Sequence, residues 1–352
     1  MEPEEQPVDF IQPVSWADAL AAKAAMPTAL PVAGGTDVMV ELNFDARRPE
    51  ALLDLTRITE LTDWDTGTDA HTHAGTGTHA GTATHAGTHA DAGTGTHPGT
   101  GTHAGTGTHA GTTAGSGNGR IRLGAAVTYS QVIDELGEQL PGLAMAARTV
   151  GSPQIRNRGT VGGNLGAASP AGDCHPPLLA AGAEIEVASV RGTRIIPVAD
   201  FYTGVKRNAL QPDELIRAIL VKPPTGPQQF SKIGTRNAMV IAVAAFSLAL
   251  HPDTRTVGTG IGSAAPTPRR AREAGVFLAS ALDEAGLWES RAELPPAITG
   301  EFARLVRQAA EPIDDVRGTA AYRLHALGVM AARTLTWAWR DYRRTGSAAG
   351  RG

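Results

Sequence analysis

The chain has 352 residues, of which 41% are hydrophobic and 19% charged, enough for one large and one small domain with a substantial core. A formal net charge of −4 gives no electrostatic footprint for nucleic acid or anionic lipid, so neither partner is expected. The single cysteine, Cys174, excludes an internal disulfide and an iron–sulfur cluster held by this chain alone, since such a cluster takes about four thiolates.

The acidic start, "MEPEEQPVDF", lacks the basic and apolar regions of a secretory signal. The longest apolar run, Ala238 to Leu250, is too short to span a bilayer as a helix, so a cytoplasmic protein is expected. Ser15 opens the first predicted helix. "SWAD" sets an acid three residues after the serine, and Trp16, Ala19, Leu20 and Ala24 share a face. "ALPVA" and "ALLDL" read as short strands on either side of "GGTD" and an amphipathic stretch.

From Thr66 to about Gly119 the chain repeats "THAGTG" with small variations and carries eight of its eleven histidines. Ala is too small to fill the interior of a β-helix, and the segment buries too little to offset its ordering entropy. Disorder over 66–119 is therefore predicted, as an insertion in a hairpin whose strands are "ITELTDWD" and "GRIRLGAAVTY". Closing so long a loop adds only about 1–2 kcal/mol over a short turn. Imidazoles on a flexible chain can chelate nickel or zinc, but repeat expansion accounts for the tract without a metal, and no metal site is assigned.

After the insertion, "SQVIDELGEQLPGLAMAARTV" predicts two helical pieces broken at Pro141. A second glycine-rich block, "RNRGTVGGNLGAASPAGD", follows, then a small helix and strand in "PPLLAAGAEIEVAS". "TRIIPVADFY" and "ELIRAILVKPP" are strand candidates, and Pro223, Pro224 and Pro227 punctuate a boundary near residue 225. "QQFSKIGTRNAMVIAVAAFSLAL" and "RTVGTGIGSAAPT" read as strands of one sheet. Helices follow at Pro268 to Glu284, at about Gly300 to Ala310 and at about Thr319 to Arg343, the last ending before Gly346. The class is mixed α and β.

Glycine lets a backbone approach a ligand closely, and successive free N–H groups form an anion-binding concavity. "AGGTD" has this character with Thr36 as an extra donor, and "GTVGGNLGAASP" has it again. One such turn is ordinary punctuation; two could clasp a diphosphate from both sides. "GIGSAA" (Gly260 to Ala265) matches G-x-G-x-x-A, but Pro266 and Pro268 follow where a Rossmann fingerprint must open a helix. No phosphate-binding G-x-x-x-x-G-K-[ST] loop and no G-x-S-x-G elbow is present. Cys174 and His175 read as buried packing residues, as do Trp337 and Trp339, and the run Arg156–Asn157–Arg158 as surface or a phosphate-steering patch.

"PVAGGTDVMVELN" and "IRNRGTVGGNLGAASPAGDCHPPLLAAGAEIEV" resemble the two flavin-binding signatures of the FAD-binding (medium) subunit of molybdenum hydroxylases, the family of xanthine dehydrogenase FAD subunits and carbon monoxide dehydrogenase medium subunits. The resemblance extends through "FYTGVKRNALQPDELIRAILV", "FSKIGTRNAMVIAVAAF", "GIGSAAPTPRRAREA" and "DDVRGTAAYRLHALGVMAARTL", nearly the whole chain outside the histidine-rich tract. It implies an α+β fold: a vanillyl-alcohol-oxidase-type (PCMH-type) FAD-binding domain of two α/β lobes over 1–225, a smaller C-terminal α/β domain with a three-stranded antiparallel sheet over 226–345, and a tail at 346–352.

Carried over residue by residue, the resemblance implies that Leu30, Pro31, Val32, Ala33, Gly34, Gly35, Thr36, Asp37 and Val38 wrap the FAD diphosphate. Thr160, Gly163, Asn164, Gly166 and Ala167 would form the facing loop. Asp173 would bind the adenosine end, Ile216 would pack on the cofactor, and Lys232 would lie near the isoalloxazine as the catalytic cation. The implied function is electron transfer: a partner with a molybdopterin centre oxidises substrate, a [2Fe–2S] partner relays electrons to FAD, and NAD or another acceptor takes them. The three chains would form a heterotrimer, possibly doubled. The oxidised substrate, whether xanthine, carbon monoxide, an aldehyde or an N-heterocycle, is chosen by the molybdenum chain. Two rival readings stand beside this one. A free-standing FAD-dependent oxidase or reductase would carry its own acid–base residue near the flavin. A histidine-rich metal-handling protein would purify without flavin colour.

Overall fold

The computed structural model describes residues 8–66 and 119–349. The expectation of disorder over the histidine-rich insertion lies almost wholly outside these residues.

The first lobe is a small parallel sheet. Strands β1 (Asp9–Ile11), β2 (Leu30–Val32) and β3 (Ala51–Asp54) lie in the order β1-β3-β2, with helix α1 (Trp16–Ala25) between β1 and β2 and α2 (Val38–Asn43) between β2 and β3. Ser15 caps α1 as expected, its hydroxyl accepting from the Asp18 N–H at 3.1 Å. Ser15→Ala should cost about 1 kcal/mol, read as a lower urea midpoint with an unchanged slope.

The second lobe is a five-stranded antiparallel sheet of order β4-β5-β10-β6-β7. Its strands are β4 (Trp64–Asp65), β5 (Ile121–Gly124), β6 (Glu184–Ser189), β7 (Gly192–Pro197) and β10 (Leu215–Val221). β4 and β5 pair antiparallel, Trp64 opposite Leu123, so the histidine-rich tract does join two hairpin strands. Only the last two residues of "ITELTDWD" are strand, however. Thr59–Leu61 form a 3-10 turn, because Ile58 and Leu61, three apart, both point into the core. Helices α3 (Tyr129–Asp134) and α4 (Pro141–Arg148) are separated by a short connection, and Pro141 takes the first helical position of α4. They are followed by α5 (Pro153–Arg156), α6 (Val161–Ala167), α7 (His175–Ala180) and α8 (Val198–Phe201), and by the hairpin β8 (Tyr202–Gly204)–β9 (Arg207–Asn208).

The C-terminal part carries the expected three-stranded antiparallel sheet, β11 (Gln228–Ile233), β12 (Ala244–His251) and β13 (Thr256–Gly262), covered by α9 (Arg272–Glu284), α10 (Leu287–Ser290), α11 (Pro296–Gln308) and α12 (Ala320–Ala349). "GIGSAA" ends β13, and no helix opens until Arg272, in line with the prolines. The last helix is Ala320–Ala349, so it does not end before Gly346 as expected.

One buried cluster fills both N-terminal lobes and another fills the C-terminal part. A small third, Ala146 with Phe230, Ala242 and Ala245, lies at the seam between α4 and the β11–β12 pair. Trp339 is buried against Trp288 and Tyr342, with its indole N–H donating to the Ala292 carbonyl. Among the described residues no helix is long and apolar enough to cross a membrane.

Candidate functional site

The two glycine segments meet. A Cβ placed on Gly34 would lie 1.7 Å from the Arg158 carbonyl oxygen and 3.0 Å from the Gly159 nitrogen, so only glycine lets the β2–α2 turn touch the chain entering α6. Gly35 then takes φ +74° to start α2. Beside this contact opens a cleft of about 770 Å³, within the roughly 300–1,000 Å³ range of cofactor pockets. Of the residues assigned from sequence, Leu30, Pro31, Ala33, Gly34, Gly35, Thr36, Asp37 and Val38 line it. So do Thr160, Gly163, Asn164, Gly166, Ala167, Asp173 and Ile216. A bulge in β10 between Ile216 and Ala218 accompanies the placement of Ile216 on the cleft.

Val32 and Lys232 do not line it. The Val32 carbonyl accepts from Leu55 N–H at 2.8 Å, in the sheet behind the cleft. The Lys232 Nζ donates to Asp173 Oδ2 at 2.6 Å and to the Thr149 carbonyl at 3.2 Å, with both charged side chains almost fully buried. Burial pushes the Asp173 carboxyl up, and Lys232 and Thr149 pull it back. Asp173 Oδ1 has no partner among the described residues.

Of the two glycine segments, only the first supplies a run of free backbone donors. Among the described residues, the N–H groups of Gly34, Gly35, Thr36, Asp37 and Val38 donate to nothing, leaving consecutive amides for an anion. The second segment departs from the expected loop of free amides: it is the helix α6. Its first N–H groups are spent, Val161 on the Val127 carbonyl (3.0 Å), Gly162 on the Ala125 carbonyl (3.0 Å) and Gly163 on Thr160 Oγ1 (2.9 Å). Thr160 is thus a helix cap. What α6 offers the cleft is small-residue surface and the buried, unpartnered Asn164 Oδ1. Unpaired amides facing a cleft beside orphaned polar atoms of Asn164 and Asp173 suit a ligand with a diphosphate and hydroxyl or amide donors, as FAD has.

Cleft residues that sequence reasoning missed come from the β8–β9 hairpin and the β11–β12 loop, among them Lys206, Arg207, Asn208 and Met239. Lys206 Nζ reaches Glu41 of α2 at 2.8 Å, joining the two lobes, and Asn208 Nδ2 donates to the Gly166 carbonyl at 2.9 Å. "KRN" lies in a stretch that carries the family resemblance, but its residues have the chemistry of any polar surface turn and do not by themselves mark a cleft role. Arg156 donates to the Val150 and Gly151 carbonyls, while Arg158 stays exposed.

Cys174 is buried and burial pushes its thiol up, which fits packing. His175 is fully buried under this region, hydrogen-bonded to the Tyr202 hydroxyl at 2.8 Å, and burial drives its pKa down to about 3. The unfolded histidine takes a proton below its ordinary 6.5 while the folded one does not. Its contribution is therefore complete above about pH 6.5 and is lost as pH falls toward 3. In urea unfolding between about pH 6.5 and 5, His175→Gln should flatten the acid limb by roughly 1.4 kcal/mol per pH unit.

The family described as FAD binding domain in molybdopterin dehydrogenase matches residues 6–92 and 112–224, more than half of the chain. The carbon monoxide dehydrogenase medium chain of Afipia carboxidovorans is 33% identical over 220 residues, 60% of this chain and 72% of that one. The xanthine dehydrogenase FAD-binding subunit of Escherichia coli O157:H7 is 26% identical over 332 residues, 91% of this chain and 92% of that one. Among solved structures, reconstituted CO dehydrogenase from Oligotropha carboxidovorans superimposes with a TM-score of 0.72 at 26% identity, covering 96% of this chain and 99% of that chain. Quinoline 2-oxidoreductase from Pseudomonas putida 86, at 18% identity and a TM-score of 0.72, shares the fold. The chain belongs to the family of FAD-binding domains of molybdopterin dehydrogenases, and is the FAD-binding medium subunit of an oxidoreductase of the molybdenum hydroxylase type.

Proposed function

We propose that this subunit is the electron exit of its complex: a molybdopterin partner oxidises substrate, a [2Fe–2S] partner relays the electrons to the FAD held here, and NAD or another acceptor removes them. The observation that carries the reading is the row of undonated amides from Gly34 to Val38 facing a cofactor-sized cleft in a chain with one buried cysteine. FAD supplies exchange between one-electron and two-electron carriers. The residues supply its seat: the Gly34–Val38 amides for the diphosphate, Asn164 and Asp173 as acceptors, and Ile216 as an apolar wall. The single cysteine leaves the clusters to another chain. Anaerobic NADH added to the FAD-loaded chain should bleach the flavin, and tagged chain expressed with its neighbouring genes should bring down two further subunits. Flavin left oxidised by excess NADH would remove NAD as acceptor, and a chain that purifies alone would remove the relay.

In this reading Lys232 supports the FAD seat through Asp173, at the adenosine end, and not beside the isoalloxazine. Removing it leaves a buried carboxylate alone, and breaking such a pair costs about 3–5 kcal/mol. Lys232→Met should therefore raise the FAD dissociation constant, measured by titration of the FAD-free chain; wild-type affinity removes this role.

A further inference from the structure

The stretch "AAYRLHALGV" in α12 places an arginine, Arg323, in the interior, 2% exposed. Its Nη1 donates to two backbone carbonyls, Val243 at 2.8 Å and Ser263 at 2.6 Å, and its Nη2 pairs with Asp315. Each carbonyl anchors a wall of the cleft. Val243 ends the loop from β11 to β12, whose Met239, Val240 and Ile241 line the cleft. That loop is largely exposed, and Met239 sits at φ +49°. Its other hydrogen bonds are internal, from Arg236 to Ala238 and Met239, or return to Ile233 of β11. Among the described residues Arg323 thus gives the loop its polar tie to an element other than the strands it joins.

Ser263 follows β13 at φ +59°, and its N–H donates at 2.8 Å to the carbonyl of Pro170. Pro170 lies in the loop whose Ser169, Ala171, Gly172 and Asp173 also line the cleft. Arg323 Nε and Ser263 Oγ, both buried, have no partner among the described residues. A lysine could not replace this fork, since a single ammonium lacks the planar geometry that meets two carbonyls and a carboxylate at once.

We propose that Arg323 is a positioning residue for the flavin: one guanidinium holds the Met239–Ile241 loop and, through Ser263, the Asp173 loop, so that both walls are set before FAD enters. The inference rests on FAD occupying this cleft. The test compares wild type, Arg323→Lys and the partly exposed Asp315→Asn as full-length FAD-loaded chains. It reads the FAD dissociation constant, iodide quenching of flavin fluorescence and the flavin midpoint potential, with thermal unfolding of the FAD-free chains alongside. Arg323→Lys should raise the dissociation constant about tenfold, open the flavin to iodide and shift the potential. Asp315→Asn should move the same readings less, and decides the matter by itself if the lysine variant does not fold. Wild-type affinity, quenching and potential in the folded variants, with only the FAD-free stability lowered, would overturn the proposal and leave Arg323 a plain buried anchor. A wild-type chain that takes up no FAD would instead sink the flavin reading beneath it.

Discussion

Gly34→Ala is expected to strip the protein of its flavin. The added methyl would sit 1.7 Å from the Arg158 carbonyl oxygen, a backbone atom that cannot rotate aside. The turn and the chain entering α6 must then separate, and the amides of Gly34 to Val38 move with the turn. Overpacking of this kind costs about 1–3 kcal/mol, which read as ligand affinity is a rise of about fivefold to more than a hundredfold in the FAD dissociation constant. Isothermal titration of the FAD-free chain measures it directly. Wild-type affinity in this variant would mean that the contact of the two glycine segments is irrelevant to the cofactor.

The second large effect lies away from the cleft. Gly258 and Gly260 on β13 are where that strand crosses α7: a Cβ at Gly258 would lie 1.8 Å from the Ala180 carbonyl oxygen, and one at Gly260 would lie 2.0 Å from that of Pro176. Gly260→Val forces the C-terminal sheet off α7 and should cost about 3 kcal/mol or more. For a chain of this size that lowers Tm by roughly 4 °C or more in a calorimetric scan. None of these glycines lines the cleft, so the fall in FAD affinity of the folded fraction, passed on through the Ser263–Pro170 hydrogen bond, should be smaller than in Gly34→Ala. A Gly260→Val protein with wild-type Tm and lost FAD affinity would reverse the assignment and return "GIGSAA" to the cofactor.

These glycines show why some of the molecule could be read from its residues and some could not. "PVAGGTD" is local: strand, tight turn and helix start follow from its own sequence, and the open amides come with them. "GTVGGNLGA" looked equivalent, but Thr160 accepts from Gly163 and winds the segment into α6, so its amides are consumed at home. Capping competes with ligand binding for the same N–H groups, and composition alone does not say which wins. The prolines after "GIGSAA" exclude a nucleotide motif, yet its real use, backbone passing over backbone, depends on α7, some eighty residues earlier in the chain. The resemblance implies Lys232 beside the cofactor, but its ammonium is turned to Asp173 and Thr149, behind the cleft surface. The hairpin with Lys206 and the anchor at Arg323 stayed hidden for the same reason: their partners, Glu41, Val243 and Ser263, are distant in sequence.

Hydrogen exchange with and without FAD tests most directly whether the glycine turn is the seat of the cofactor. In the FAD-free protein the amides from Gly34 to Val38 have no acceptor among the described residues and should exchange quickly. Adding FAD should slow exchange in peptides spanning 32–42 and, through Asn164 and Asp173, steady those spanning 160–175. Flavin that binds while the first of these peptides exchanges as fast as before would contradict the account.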